Sequence, residues 1–223
     1  MKKFELTNEF ITNMFGTKLF RIRALVEFGD VEAGELGGYV EKESNLGHDD
    51  NAWVYDNAWV YGNARVYDNA RVYGNAWVYG DAQVSGNARV YGNAWVYGDA
   101  WVYDNAWVYG NAWVYGNALV YGNAQVSGDA RVCGDARVCG NGDYAYAHGF
   151  GSVNRTTTFF RLKDGGAGVR CGCFYGTLAQ FRDKIRETHG ETKKAQEYLM
   201  LADLMELRFE EDENEVGNRK YVE

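Results

Sequence analysis

Residues 93–116 read NAWVYGDAWVYDNAWVYGNAWVYG. The stretch is four copies of one hexad, Asn/Asp-Ala-x-Val-Tyr-Gly/Asp, and that hexad runs without a slip from Ala52 to Gly140. Ala holds fifteen successive positions from Ala52 to Ala136, and Val fifteen from Val54 to Val138. The residue between them is Trp, Arg, Gln or Leu, and Tyr follows Val eleven times. Within a hexad, Ala and Val alternate with the variable residue and Tyr. A period of two places the first pair on one face of a short strand and the second pair on the other. The remaining pair, such as Gly62-Asn63 or Asp56-Asn57, tolerates left-handed backbone angles and predicts a corner after every strand.

Two-residue corners also occur in antiparallel meanders, but side-chain direction argues against one here. Across a two-residue hairpin, the flanking Tyr61 and Ala64 would lie opposite each other on one face. Ala and Val would then change faces at every strand, leaving no continuous apolar side. A solenoid that bends the same way at each corner keeps every Ala and Val inside and pairs successive coils as parallel strands, about 4.8 Å apart.

The string Val-Tyr-Gly-Asn-Ala-x resembles the hexapeptide pattern of left-handed parallel β-helix proteins, over about 90 residues by simple template matching. The resemblance implies a triangular prism with three hexads per coil, hence five full coils, with Leu36 to Asp50 as an irregular lead-in. Tyr in the second position departs from the usual small or acidic choice. The whole chain is also similar to an uncharacterised phage and prophage family, through LFRIRALVEFGDVEAGELGGYVEKE, the NAxVYG array and TTFFRLKDGGAGVRCGCFYGTLAQF followed by ETHG. That resemblance implies a role in binding a host component, with blocking or sequestering a defence pathway as one form of it, in the host cytosol.

Outward from the array, residues 3–10 and 18–28 alternate loosely about Gly16-Thr17 and predict a hairpin covering the first coil. An uncovered end would be an open strand edge. Thr156–Leu162 and Val169–Phe174 read as strands around Lys163-Asp164-Gly165-Gly166. Thr177 is the expected N-cap of a helix over Leu178–Thr188, and Thr192 starts another to about Leu207, with an apolar stripe of Tyr198, Leu201, Ala202 and Met205. The expected class is mainly β: a left-handed parallel β-helix of about five to six coils over residues 36–141, an N-terminal β-hairpin cap over 1–35, a C-terminal α+β capping domain over 142–209, and an acidic tail over 210–223.

The 223 residues include 28 Gly, 16% aromatics and no Pro, where average usage would supply roughly eleven prolines. Their absence suits a backbone whose N–H groups are committed to ladders. With 31 acidic against 23 basic residues the net charge is −8, which argues against general affinity for nucleic acid or anionic membranes. The sequence has no run of apolar residues long enough for a signal peptide or a membrane span, and the expectation is a soluble cytoplasmic protein. Residues 52–141 hold seven Asp and five Arg, too dilute a charge to mimic DNA.

No constellation points to chemistry. The hexapeptide resemblance implies acyltransferases that use a histidine at a subunit seam, but His48, His148 and His189 all lie outside the regular coils, and no insertion interrupts the array to build a donor pocket. Cys133 and Cys139 are one hexad apart, and Cys171-Gly172-Cys173 lacks the spacing of a zinc knuckle, so no metal or cofactor is expected and the thiols read as reduced. No catalytic residue is assigned. What remains is the outside of the prism. At eighteen residues per coil, Trp59, Trp77, Trp95 and Trp113 form one column and Tyr61, Tyr79, Tyr97 and Tyr115 the next. The second side carries Arg65, Gln83, Trp101 and Leu119, and the third Trp53, Arg71, Arg89, Trp107 and Gln125. Eight large rings in adjacent columns either stabilise the stack as ladders or make a wall covered by a sister subunit, a host protein or a flat small ligand. The expectation is a non-enzymatic interaction protein, with acyltransferase and virion scaffold as alternatives.

Overall fold

The computed structural model describes residues 2–151 and 155–210, so the acidic tail beyond Glu210 lies outside the described residues. Strands β1 (Phe4–Thr12) and β2 (Lys18–Ala24) form the expected hairpin. Strand β2 pairs antiparallel with β3 (Leu36–Val40), and β3 pairs in parallel with the first Trp59–Val60 strand. The array then makes fifteen short strands, β4 to β18, from Trp53–Val54 to Arg137–Val138. They stack into three parallel sheets, the sides of a prism, with partners eighteen residues apart, as in Trp77 opposite Trp95. The lead-in joins the stack through β3 and through a Gly47 N–H to Val66 C=O bond, giving about six coils.

All fifteen Ala and all fifteen Val of the array are 0% exposed and fill the shaft. Corners hold because the residue before each Asn/Asp takes a positive φ. It is Gly at most of them, and Asp at Asp50, Asp56, Asp68 and Asp104. Three of those aspartates offset the left-handed cost with a bond from the next coil: Asp56, Asp68 and Asp104 accept the N–H of Gly74, Gly86 and Gly122 respectively. Glycine is required for space as well. A Cβ on Gly86 would stand 2.8 Å from the Asp104 nitrogen.

Parallel pairing makes each strand donate and accept across both of its edges, and bonds such as Trp59 N–H to Ala76 C=O and Tyr61 N–H to Val78 C=O join each coil to the next. The first and the last coil therefore each present backbone donors and acceptors with no further coil to meet. At the N-terminal end Lys3 Nζ reaches the carbonyls of Ala52, Asp50 and Asp49, Asn45 Nδ2 reaches those of Gly62 and Ala64, and Glu41 Oε2 accepts the Gly62 N–H. The C-terminal end is closed by both kinds of group: Tyr144 Oη donates to Gln125 C=O and the Lys163 N–H to Asp135 C=O. Asn141 Oδ1 takes the N–H of Gln125, Tyr144 Oη that of Ser127, Thr158 Oγ1 that of Arg131, and Asp143 Oδ2 those of Cys139 and Gly140.

The C-terminal cap is a four-stranded antiparallel sheet, β19 (Tyr144–Phe150), β20 (Arg155–Arg161), β21 (Ala167–Cys171) and β22 (Phe174–Thr177), with helices α1 (Leu178–His189) and α2 (Lys193–Phe209). Thr177 and Thr192 cap the two helices as expected. The single run expected over Val169–Phe174 is broken instead by a turn at Gly172-Cys173, where Gly172 has φ +58, and β19 was not anticipated. Phe159, Val169, Phe181, Tyr198 and Ala202 form the core of this unit. Asp143, 4% exposed, ties it to the last coil through its ion pair with Arg161 at 3.1 Å.

Two outcomes test this account. Gly86→Ala should lower the unfolding free energy by about 1–2 kcal/mol for the left-handed backbone alone, whereas Gly142→Ala, with open space and no positive φ, should be near neutral in urea melts. Lys3 is 3% exposed, and burial pulls its pKa down to about 8 against the attraction of Asp50 and Asp49. An unfolded lysine keeps its proton to about 10.4. Between those values the unfolded chain binds more protons, so stability should rise with pH across that window, and should rise less in Lys3→Met.

Candidate interaction surface

Side one is built by the strands that begin at Trp59, Trp77, Trp95 and Trp113, held in register by parallel pairing. Because consecutive coils place the same side chain one strand spacing apart, planar rings must either stack or splay. They stack. The four indoles lie 4.5, 4.8 and 4.8 Å apart, within 8° of parallel. Tyr61, Tyr79, Tyr97 and Tyr115 form a second ladder at 4.9 Å spacing, and the two ladders meet edge to face, as in Tyr97 against Trp113 at 6.4 Å.

Cations bound the wall. The Arg131 guanidinium sits 4.4 Å over the Trp113 ring. At the other end Tyr39 is in register with Trp59, and the Arg21 guanidinium lies 5.2 Å over its ring. Cys133 takes the next place in the tyrosine column and is buried, with Arg170 6.0 Å over Tyr115. Tyrosine ladders also run on the other two sides, Tyr73–Tyr91–Tyr109 and Tyr103–Tyr121, whereas the tryptophan ladder belongs to side one.

Stacking changes what solvent meets. Ring faces cover each other, the eight side-one residues are buried or half-buried, and edges rather than faces reach water. The large exposed apolar side chains lie elsewhere: Met14 and Phe15 at the hairpin turn, and Met200, Leu204 and Leu207 on α2. The α2 stripe repeats at i, i+4 and i+7, opposite the buried Tyr198, Ala202 and Met205, a signal already present in the sequence. Trp53, expected on the outer surface of side three, is instead 0% exposed, because Phe4 and Phe28 close over it edge-on at 6.1 and 5.3 Å.

The histidines hold structural contacts. His48 Nδ1 accepts the Lys3 N–H while Nε2 lies 2.8 Å from Glu43 Oε1, which occupies both ring nitrogens. His148 Nδ1 is 2.9 Å from Thr156 Oγ1, and His189 ends α1 with its ring 5.9 Å from Tyr198. Cys171 Sγ accepts from Thr157 Oγ1, and Cys139 and Cys173 are exposed. Where side one meets the C-terminal cap, a groove of about 560 Å³ opens between Trp113, Asp129, Arg131, His148 and Arg155. His148 was weighed from the sequence, but the two arginines were not singled out beside it, since no local motif joins them.

Burial raises the phenol pKa of every side-one tyrosine, and at Tyr79 the neighbouring Tyr97 and Tyr61 add to it. A folded-state pKa above the unfolded value of about 10 means that the unfolded chain loses protons first. The ladder contribution is therefore complete below pH 10 and is lost as pH rises beyond it. Urea melts combined with tyrosinate absorbance should show tyrosine ionisation delayed until the chain unfolds. Ionisation of all phenols near pH 10 in the folded protein would contradict the ladder geometry.

No helix among the described residues is long and apolar enough to cross a membrane. Residues 64–80, 82–98, 100–116, 112–128 and 124–140 match the family model described as the YdcK Beta solenoid repeat. No curated protein matches the chain. A repeat match that falls on the hexad array, together with three parallel sheets advancing eighteen residues per coil, makes this chain a β-helix repeat protein.

Proposed function

We propose that the protein is a non-enzymatic binding scaffold that presents side one of the prism to a partner, with a second copy of itself as the first partner. The observation that carries this reading is the in-register wall of Trp59, Trp77, Trp95 and Trp113 beside Tyr61, Tyr79, Tyr97 and Tyr115, bounded by Arg21 and Arg131. A straight row of ring edges with cations at its ends suits a flat, aromatic-rich surface, since Trp, Tyr and Arg are the residues on which association energy concentrates. The left-handed winding and the cytoplasmic setting implied by the sequence resemblances belong to this reading. So does the phage-type role of engaging a host component.

The test compares native chain with a Trp77→Ser, Trp95→Ser double variant by light scattering. The expected result is an oligomer for the native chain and a folded monomer for the variant. Loss of three indole stacking pairs costs about 0.5–1.5 kcal/mol each, so the variant should melt earlier yet remain folded. A native chain that is monomeric at all concentrations and binds no partner that the variant loses would overturn the proposal.

A further inference from the structure

We infer that the groove at the C-terminal end of side one is a binding site for a small oxyanion ligand, a phosphate ester or a carboxylate. The groove, about 560 Å³, lies between the last coils and the cap sheet, and Arg131, Arg155, His148 and Thr156 line it together with Trp113 and Asp129. Its charge runs against that of the molecule: two guanidiniums face one carboxylate in a chain of net charge −8.

Both arginines are positioned without being neutralised. Arg131 is held over the Trp113 ring at 4.4 Å, which leaves the edge donors of its planar fork available. Arg155 rests against Gly172 in the turn between β21 and β22, where a Cβ would collide with its Nη1. Among the described residues neither guanidinium is within ion-pair distance of a carboxylate, whereas Arg21, Arg23, Arg71, Arg161, Arg182 and Arg186 all are. The carboxylate in the groove, Asp129, instead accepts from Asn111 Nδ2 at 3.0 Å. His148 and the Thr156 hydroxyl, 2.9 Å apart, add further polar atoms on the same lining. Two preset guanidinium forks with an imidazole and a hydroxyl beside them are the donors that a phosphate or carboxylate takes. The Trp113 ring is stacked between Trp95 and Arg131, so the ligand is recognised by its anionic group rather than by stacking on that ring.

Calorimetry of the full chain at constant ionic strength would use inorganic phosphate and pyrophosphate in one arm and succinate and citrate in the other, with chloride as reference. Saturable binding of either class is expected, and the arm that binds names the source. Arg155→Gln, whose side chain carries no hydrogen bond within the described fold, should weaken binding roughly tenfold or more, the size of one charge-assisted hydrogen bond. Arg131→Gln should do the same, with melting followed separately because the ring contact is lost too. Arg65→Gln on side two should bind as the native chain does. Absence of saturable binding at millimolar anion, or binding unchanged in a folded Arg155→Gln, would overturn the assignment. Light scattering reports on side-one association separately, so the two readings fail independently.

Discussion

Parallel pairing of each coil with the next governs this molecule. Every inner coil is bonded to the coil before it and to the coil after it, so the stack ends in two edges whose N–H and C=O groups have no further coil to meet. An unmet backbone group in a buried setting costs about 1–3 kcal/mol, and each end of a prism exposes several. The two caps answer with side chains: at the start an ammonium and an amide donate to carbonyls while Glu41 accepts the Gly62 N–H, and at the finish hydroxyl, amide and carboxylate oxygens accept N–H groups while Tyr144 Oη donates to Gln125 C=O. The burial of Lys3 and of Thr158 follows from that requirement, as does the low exposure of Asp143.

The same parallel register dictates the exterior. Identical side chains recur one strand spacing apart, and the corner asparagines exploit it by donating to the next coil in rows such as Asn75 to Asn93 to Asn111 to Asp129. An aspartate accepts in such a row but has no amide to pass the bond on, so it ends the run. On side one the rings use the register in the same way. They satisfy each other first and leave their edges rather than their faces to the solvent.

Much of this was legible in the hexad. Period two within the unit, a left-handed corner after it and an unbroken count of fifteen leave one way to bury Ala52 through Val138, and the columns follow from eighteen residues per coil. What was not legible depends on contacts distant in sequence. The fate of Trp53 is set by Phe4 and Phe28, and its own hexad differs from that of Trp59 only in ending on Asp56 rather than Gly62. Strand β19 begins just beyond the last hexad, in a stretch where no element was expected from the sequence. The basic groove needs Arg131 from the last coil and Arg155 from the cap, which only the packing of cap on coil brings to one lining.

Because every hexad offers the shaft the same Ala and Val, the interior is indifferent to how many hexads there are. The exterior is not. Deleting or duplicating one hexad, as slippage in a repetitive gene would do, leaves the filling intact but turns each following column by one side of the prism. Trp95 and Trp113 would then no longer continue the row begun by Trp59 and Trp77, and the cap would meet a different side. Changes in repeat number that preserve the surface come in threes, so copy count in this architecture is constrained by what the outside must present.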